Sequence, residues 1–187
     1  NFKIPSETAH IPDDKIVLKA KIKTYLQTYD VLLFSGAVSK GKYDFLPEVL
    51  DELGVQKQFH KVAQRPGKPF WFGNTASCCV FAFPGNPVST FVNCLVYFYP
   101  WYQKSVGIEI KEETAILNED VIFKPNLQYF MQVALTNRFG HTIATPVDGN
   151  GSGDLVSLTS ADGYIVLPAH EVLFKKGSVA GRGSALT

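Results

Sequence analysis

The chain has few sulfur-containing residues, and this shortage limits the kinds of site it can build. It contains three cysteines among 187 residues, Cys78, Cys79 and Cys94. Their number is odd, two of them are adjacent, and none of the spacings matches a zinc site. We therefore expect buried thiols in a reducing compartment, which points to a cytoplasmic location. The four histidines also lack metal-ligand spacing, and we expect them to be structural or surface residues.

Long apolar runs and an excess of positive charge are absent as well. No run is long enough to cross a membrane. The net charge is +1, from 18 basic and 17 acidic residues, whereas a nucleic-acid-binding protein normally presents a basic surface. We expect no membrane span and no nucleic-acid partner, so any anion site must be local. With 45% hydrophobic residues, the chain can form a globular core in one or two domains.

The beginning of the chain alternates helical and strand patterns. A helix is predicted after Pro12, because apolar residues at helical spacing follow two aspartates suited to its N-terminus. The unbroken apolar run Val31–Phe34 predicts a buried parallel strand. A short amphipathic helix is predicted from Leu46 to Leu53, ended by Gly54.

The rest of the chain changes in character near Gly107. Before it, strands are predicted over 59–63, 70–72 and 80–83, and a buried helix over 88–99 that ends or kinks at Pro100. After it, 132–136 and 142–145 predict a hairpin with a longer turn over 137–141, followed by a helical turn over 157–161 and a strand over 164–167. We therefore predict an α/β domain over residues 1–107 and a small, mostly β domain over residues 108–187.

The stretch FSGAVSKGKYDF, residues 34–45, is the first candidate binding loop. It follows a predicted buried strand, and ligands of open α/β sheets lie beyond the carboxyl ends of strands. Gly36 and Gly41 allow positive φ and the close approach of a ligand. Ser35 and Ser39 supply hydroxyl groups beside backbone N–H groups that can bind an anion. An ordinary turn explains the same composition.

Two aspartates are candidate ligands of a divalent cation. Asp13 and Asp44 each precede a predicted helix, so each is also explained as an N-cap. If both helices begin at the same edge of the sheet, the two carboxylates converge there. They can then hold a hard cation such as Mg²⁺ between themselves and a phosphate.

The segment KVAQRPGKP, residues 61–69, places three cations around a proline-bounded turn. Arg65 can bind an oxyanion through two hydrogen bonds, and Lys68 acts as a point charge, as does Lys61. A solvated basic turn is the alternative interpretation.

The turn Pro84-Gly85-Asn86-Pro87 joins a predicted strand to the predicted buried helix. Capping explains Asn86 and Pro87, which suit the N-cap and the first helical position. The stiffness of the whole turn suits a place where a ligand must be positioned.

Together these segments resemble the molybdopterin molybdenumtransferase family, which includes bacterial MoeA and the C-terminal part of gephyrin. SGAVSKGKYDF, KVAQRPGKP and FAFPGNPVST stand in the order and spacing of that family. IPDD at 11–14 and NGSGDLVSLTSADGYIVLP at 150–168 resemble it too, so the resemblance covers almost the whole chain. It implies a three-layer α/β/α, MogA-like molybdopterin-binding domain, incomplete at its N-terminus, and then a small β-barrel-like domain.

The resemblance also implies a role in molybdenum cofactor biosynthesis. Molybdate would be inserted into adenylylated molybdopterin with release of AMP, assisted by Mg²⁺ or another divalent cation. By motif, Asp13 and Asp44 would lie at the cation and phosphate, and Lys61 and Arg65 would face the molybdate and phosphate oxygens. Both substrates are anions that repel each other, so fixed positive charge is needed to bring them together. The other matches would bind substrate: Ser35, Gly36, Ser39, Gly41, Lys68, Pro84, Gly85, Asn86 and Pro87.

Two positions depart from the family pattern, and two other functions fit the same residues. Ala37 replaces a glycine usual in the loop, and Arg65 replaces a commoner lysine. The first alternative is a non-catalytic molybdopterin-binding or scaffold module. The second is a CinA-type nucleotide hydrolase of related fold, and the presence of the β domain argues against this second alternative. Family members carry two further N-terminal domains and form homodimers. We therefore expect a C-terminal fragment of a homodimeric parent that is inactive or nearly so by itself.

Overall fold

The computed structural model describes residues 4–36, 38, 45–111, 113–147 and 155–183. Its helices are α1 (Lys15–Thr28), α2 (Leu46–Glu52), α3 (Pro87–Asn93), α4 (Tyr99–Ser105) and α5 (Leu155–Ser160), and a π-helical segment, Cys94–Phe98, joins α3 to α4. Its strands are β1 (Val31–Ser35), β2 (Gln56–His60), β3 (Gln64–Arg65), β4 (Trp71–Asn74), β5 (Cys79–Phe83), β6 (Glu113–Leu117), β7 (Val121–Ile122), β8 (Gln128–Arg138), β9 (His141–Pro146), β10 (Gly163–Leu167), β11 (Leu173–Phe174) and β12 (Val179–Arg182). None of the helices in these ranges has the length and apolar character needed to cross a membrane.

Four strands form the first sheet, in the order β1-β5-β4-β2. β1 and β5 are parallel, with Ser35 opposite Phe83. β4 is antiparallel to β5 and β2 is antiparallel to β4, so β2 runs in the same direction as β1 and β5. The carboxyl ends of these three strands, at Ser35, His60 and Phe83, therefore lie along one side of the sheet, which we call the carboxyl edge.

The first sheet is covered on both faces, because side chains of successive strand residues point to opposite sides. Val80 and Ala82 of β5 face a core shared with α1 and α2. Phe81 and Phe83 face an aromatic core shared with the π-helical segment and α4. This arrangement confirms the predicted three-layer α/β/α architecture.

The second core lies inside a closed barrel of five strands. The strands pair in the cycle β8-β10-β12-β6-β9 and back to β8. Closure is possible because the long strand β8 pairs with β10 along 129–133 and with β9 along 133–138. Leu117, Val133 and Ile165 are among the residues that fill the interior. The predicted small β-barrel-like domain is thereby confirmed.

Among the described residues, a strand pair and an apolar cluster are two of the contacts that join the barrel to the three-layer part. The strand β3 pairs in parallel with the beginning of β8, with Gln64 opposite Gln128. Val92 and Leu95, on the helical stretch that also covers the first sheet, pack against Phe130 of the barrel. The segment 61–69, which contains β3, is therefore held between the two cores.

Most of the predicted elements are confirmed, with small changes of boundary. α1 carries the predicted apolar face, with Ile22 fully buried. α2 ends before Gly54, whose φ is +77°. Asn86 caps α3, where its Oδ1 accepts a hydrogen bond of 2.9 Å from the Ser89 N–H, and Pro87 is the first helical residue. β1 is parallel as predicted, but it is not buried throughout as predicted: Leu32 is buried, whereas Leu33, on the opposite face of the strand, is 47% exposed.

Three expectations about local structure were wrong. The strand predicted over 59–63 lies at 56–60, because Lys61 turns the chain with a φ of +71°. Pro100 was predicted to end or kink the helix, and the first of these alternatives is wrong, because the helical stretch continues as α4 to Ser105. The hairpin turn has two residues rather than five: Arg138 pairs with His141, and Phe139 and Gly140 both have positive φ, as a type I′ turn requires.

Candidate functional site

Two of the predicted binding segments meet at the carboxyl edge. The Gly36 N–H donates a hydrogen bond of 3.3 Å to the carbonyl of Phe83, the last residue of β5. A Cβ added to Gly85 would lie 3.2 Å from the Cα of Gly36, so the two backbones are in close contact. Gly36 has a φ of +94°, which favours glycine. Its N–H is already bonded within the protein, so it is not one of the free donors that the anion-nest interpretation required.

Thr90 joins these two segments and was not predicted as a site residue. Its Oγ1 donates a hydrogen bond to the Pro84 carbonyl and lies 3.5 Å from the Oγ of Ser35. Thr90 stands on α3, four residues after the capping Asn86. It ends the quoted motif FAFPGNPVST, and helical periodicity places it on the face of Asn86, so this spacing was the signal that could have found it.

The segment Lys61–Lys68, which we call the basic loop, leaves and re-enters the sheet at the carboxyl edge. Its base is closed by a hydrogen bond of 2.7 Å from the Lys61 N–H to the Phe70 carbonyl. The Val62 N–H donates to the Lys68 carbonyl at 3.0 Å. The Arg65–Pro66 peptide bond is cis.

The three cations of the basic loop are exposed, and no carboxylate among the described residues pairs with them. The guanidinium carbon of Arg65 lies 6.0 Å from the centroid of the Phe123 ring, a cation–π contact that leaves its N–H groups available. The ion pairs of the described ranges involve other basic residues, Lys15, Lys19, Lys175 and Arg182. Lys61, Arg65 and Lys68 can therefore balance the charge of an anion.

A largely buried polar network, which was not predicted from the sequence, contacts the basic loop. Gln64 is 3% exposed and Asn93 fully buried. The Nε2 of Gln64 donates to the Oδ1 of Asn93 at 2.8 Å and to the Pro66 carbonyl at 2.8 Å. The Nδ2 of Asn93 donates to the Gly67 carbonyl at 3.1 Å, and the Tyr97 hydroxyl donates to the Oε1 of Gln64. We call Gln64, Asn93 and Tyr97 the amide network.

The two aspartates before α1 have different roles. Asp14 is the N-cap, and its carboxylate accepts hydrogen bonds of 2.9 Å from the N–H groups of Ile16 and Val17. Asp13 is exposed, and its carboxylate makes no hydrogen bond or ion pair within the described part of the chain. The capping explanation therefore applies to Asp14 and leaves Asp13 available for another role.

The helices α1 and α2 begin at the same end of their layer. Lys15 donates 2.8 Å hydrogen bonds to Glu48 in the first turn of α2 and to Glu52 in its last turn. Lys19, one turn later on α1, reaches Glu52 at 2.6 Å. The two hydrogen bonds of Glu52 to these lysines lower its pKa to about 2. A hydrogen bond therefore links the first turns of α1 and α2.

Several predicted residues lie outside the described part of the chain. They are Ser39, Gly41 and Asp44, together with the departure at Ala37. Within the described ranges, no cluster of three His, Cys, Asp or Glu side chains is arranged to bind a metal. Mg²⁺ does not require such a cluster, because one or two carboxylates, waters and substrate phosphates satisfy it. The exposed Asp13 is compatible with that kind of site.

The three thiols are buried or half-buried, as predicted, and one histidine, His60, ends β2 at the carboxyl edge beside Lys61. Cys78 is buried, Cys79 and Cys94 are half-buried, and all three are free thiols. Burial raises the pKa of Cys78 to about 11, which makes it a poor nucleophile at neutral pH. All four histidines are exposed. Partial burial of the His60 ring, with the charges of Lys61 and Lys57 beside it, lowers its pKa.

Similar proteins are known for nearly the whole chain. It is 38% identical over 171 residues to the "Molybdopterin molybdenumtransferase" of Synechocystis sp., covering 90% of this chain and 42% of the relative. It is 32% identical over 154 residues to the protein of the same name from Bacillus subtilis, covering 80% of this chain and 35% of the relative. The chain therefore spans about two fifths of the length of the curated relatives it matches.

This chain also resembles a solved structure and matches two protein-family models. The crystal structure of the molybdopterin biosynthesis MoeA protein from Pyrococcus horikoshii matches with a TM-score of 0.73 and 29% identity, covering 91% of this chain and 41% of that one. The family model described as "MoeA C-terminal region (domain IV)" matches residues 114–180. The family model described as "Probable molybdopterin binding domain" matches residues 4–104, more than half of the chain, and this chain belongs to that family.

Proposed function

We propose that this chain provides the substrate-binding and charge-bearing part of a molybdopterin molybdenumtransferase, which inserts molybdate into adenylylated molybdopterin and releases AMP. The observation that carries the proposal is the carboxyl edge. There the turn of Gly36, the stiff turn at Pro84–Pro87 and the basic loop lie along one side of a sheet, next to three cations without carboxylate partners. Such an edge is the usual ligand position in open α/β sheets.

The width of the edge suits a long substrate with several charged groups. Ser35 and Lys61 are separated by three strand spacings, which is about 14 Å at about 4.8 Å per spacing. A single oxyanion is too small to contact both ends of that distance. A pterin joined to a nucleotide through phosphates can contact the turns at one end and the cations at the other.

The residue roles come from the family resemblance, and the charge and position of the described residues support them. Lys61 and Arg65 would contact the molybdate and phosphate oxygens, where fixed cations stabilise negative charge that increases in the transition state. Lys68 would bind a further oxygen of the substrate. Ser35, Gly36 and the turn Pro84-Gly85-Asn86-Pro87 would form the wall of the pocket, and Ser39 and Gly41 would complete it.

Asp13 and Asp44 would hold the divalent cation, for which Mg²⁺ is our candidate. The cation would neutralise phosphate charge when bound. Two observations support this pair of ligands. The carboxylate of Asp13 is exposed, and the hydrogen bonds of Lys15 and Lys19 to α2 hold α1 and α2 side by side.

We propose that the functional unit is a homodimer, that it acts in the cytoplasm, and that its two domains meet near residue 107. These three proposals rest on the family resemblance and on the change of sequence character at Gly107. Sedimentation equilibrium of the full-length parent tests the first, since a mass equal to one chain would contradict it.

The central test is AMP release from adenylylated molybdopterin in the presence of molybdate, measured with the full-length parent protein. Lys61→Ala and Arg65→Ala should each lower the rate roughly 10²- to 10³-fold, the usual loss when one group that stabilises transition-state charge is removed. Asp13→Asn should lower the rate and weaken the dependence on Mg²⁺ concentration.

Matched controls separate loss of site charge from loss of charge in general. Lys57→Ala removes an exposed lysine of β2, four residues before Lys61, and Asp51→Asn removes an exposed carboxylate of α2. Both controls should retain the rate of the unaltered protein. Full activity of Arg65→Ala and Lys61→Ala would contradict the proposed roles. Binding of molybdopterin without AMP release would favour a carrier module, and turnover of free nucleotides without a pterin would favour a nucleotide hydrolase.

A further inference from the structure

The amide network places three polar side chains where the fold otherwise buries apolar ones. Asn93 is fully buried and Gln64 is 3% exposed. The carbonyl oxygen of each amide group accepts a hydrogen bond from a neighbour, Tyr97 for Gln64 and Gln64 for Asn93. Buried amides of this kind are stable only while their partners remain in place. The network therefore defines one arrangement of everything it contacts.

The amide network contacts the backbone of the basic loop. Gln64 donates to the Pro66 carbonyl at 2.8 Å, and Asn93 donates to the Gly67 carbonyl at 3.1 Å. Both acceptors lie between Arg65 and Lys68. The fit is close, because a Cβ added to Gly67 would lie 2.3 Å from the Oδ1 of Asn93.

The other end of the network is fixed to rigid parts of the fold. Asn93 is the last residue of α3, the helix that starts at the turn Pro84–Pro87. Tyr97 lies in the π-helical segment, and its ring stacks on Phe70 with centroids 4.5 Å apart. The network thus connects the helix that begins on one side of the carboxyl edge with the cations on the other.

We infer that Gln64, Asn93 and Tyr97 are positioning residues that hold the basic loop in the geometry that binds the anionic substrate. The inference rests on the proposed function for the identity of that substrate. Apart from the two residues of β3, the loop has no regular secondary structure. Without the network it would sample other conformations, and the apparent affinity falls with the fraction of molecules in the competent one.

The variant Tyr97→Phe tests the inference, because it removes one hydroxyl and keeps the ring that stacks on Phe70. Binding of AMP and of inorganic molybdate to the full chain is measured by calorimetry. Loss of one hydrogen bond from the network should weaken binding about three- to tenfold. The urea unfolding midpoint should also fall, because the buried Oε1 of Gln64 loses its donor, but the variant should stay folded in the absence of urea. Asn93→Leu, which removes both bonds of Asn93, should weaken binding more.

The matched control is Tyr102→Phe. Tyr102 belongs to the same helical stretch and packs on Phe98, and its hydroxyl makes no hydrogen bond within the described part of the chain. This control should leave binding unchanged.

A second measurement tests the loop without any ligand. The N–H groups of Lys61, Val62 and Phe70 close the loop through hydrogen bonds of 2.7–3.0 Å. Tyr97→Phe should speed their amide hydrogen exchange and leave exchange in the barrel unchanged. Faster exchange confined to these amides supports the inference. Unchanged exchange, or a uniform increase across the chain, overturns it.

The two measurements separate this inference from the proposed function. If the unaltered chain binds neither AMP nor molybdate, the substrate assignment fails, and the exchange experiment still decides whether the network positions the loop. If the unaltered chain binds both and Tyr97→Phe binds them equally well, the inference is overturned and the proposed function stands.

Discussion

Replacing Gly67 by alanine would test how closely the basic loop is fitted to the helix beneath it. Gly67 has a φ of +88°, and a Cβ at this position would lie 2.3, 2.7 and 2.8 Å from three atoms of the Asn93 amide group. Asn93 is fully buried, so its side chain has no free space into which it can move. Alanine would therefore displace the amide or shift the loop backbone.

The expected loss of stability has two parts. A positive φ costs a residue with a Cβ about 1–2 kcal/mol. Displacing Asn93 also breaks its hydrogen bonds to the Gly67 carbonyl and to Gln64, each worth about 1 kcal/mol, and leaves buried polar groups without partners. We expect Gly67→Ala to lower the free energy of unfolding by about 3–5 kcal/mol.

Gly54→Ala is the matched control, because Gly54 also has a positive φ, +77°, but an added Cβ would contact nothing within 4 Å. It should cost about 1–2 kcal/mol from the backbone alone. Urea unfolding of both variants gives the difference directly. A second control combines Gly67→Ala with Asn93→Ala, which removes the clashing atoms, and in that background the cost of Gly67→Ala should fall to about 1–2 kcal/mol. Equal losses for Gly67→Ala and Gly54→Ala would refute the reasoning.

Three other predictions concern the cap, an ion-pair cluster and the thiols. Asp14→Ala should lower the free energy of unfolding by about 1 kcal/mol in thermal or urea unfolding, because it removes the N-cap of α1. The control Asp13→Ala should change the free energy of unfolding by less than about 0.5 kcal/mol. A larger loss for Asp13→Ala than for Asp14→Ala would show that the wrong aspartate was identified as the cap. The pKa of Glu52 falls from 4.5 to about 2 because of its hydrogen bonds to Lys15 and Lys19, so its stabilising effect is complete above pH 4.5 and is lost as the pH falls towards 2. The stability gap between the unaltered chain and Glu52→Gln should narrow over that range, and a constant gap from pH 7 to pH 2 would contradict this account. Burial raises the pKa of Cys78 to about 11. Iodoacetamide at pH 8 should therefore modify Cys78 far more slowly in the folded chain than in urea, and peptide mass spectrometry can measure both rates. Equal rates would show that Cys78 is accessible in the folded chain.

Local patterns predicted much of the fold. The helical spacing before Val31 predicted α1, and the pair Asn86 and Pro87 predicted the start of α3. These predictions succeeded because capping and helical periodicity depend on residues within a few positions of one another. The short strands β6, β7, β11 and β12 were not predicted, since their pairing partners are distant in the sequence and their own patterns are brief.

The candidate site was predicted in part. The motifs identified the turn at Gly36 and the cations Lys61 and Arg65, but not Thr90 and not the amide network. Gln64, Asn93 and Tyr97 are up to 33 residues apart, and each is unremarkable in its local context. Their joint role exists only because β3, α3 and the π-helical segment fold against one another.

The sequence by itself determined which segments of this protein can form helices, strands and stiff turns, and which of them carry charge, because those properties depend on short-range geometry and on residue chemistry. The tertiary structure decided that the carboxyl ends of β1, β2 and β5 share one edge, that Asp14 rather than Asp13 caps α1, and that the buried Gln64 and Asn93, with the half-buried Tyr97, contact the basic loop. Those outcomes depend on strand order, on the direction of β2 and on close packing between distant segments, none of which is encoded in any one stretch of the chain.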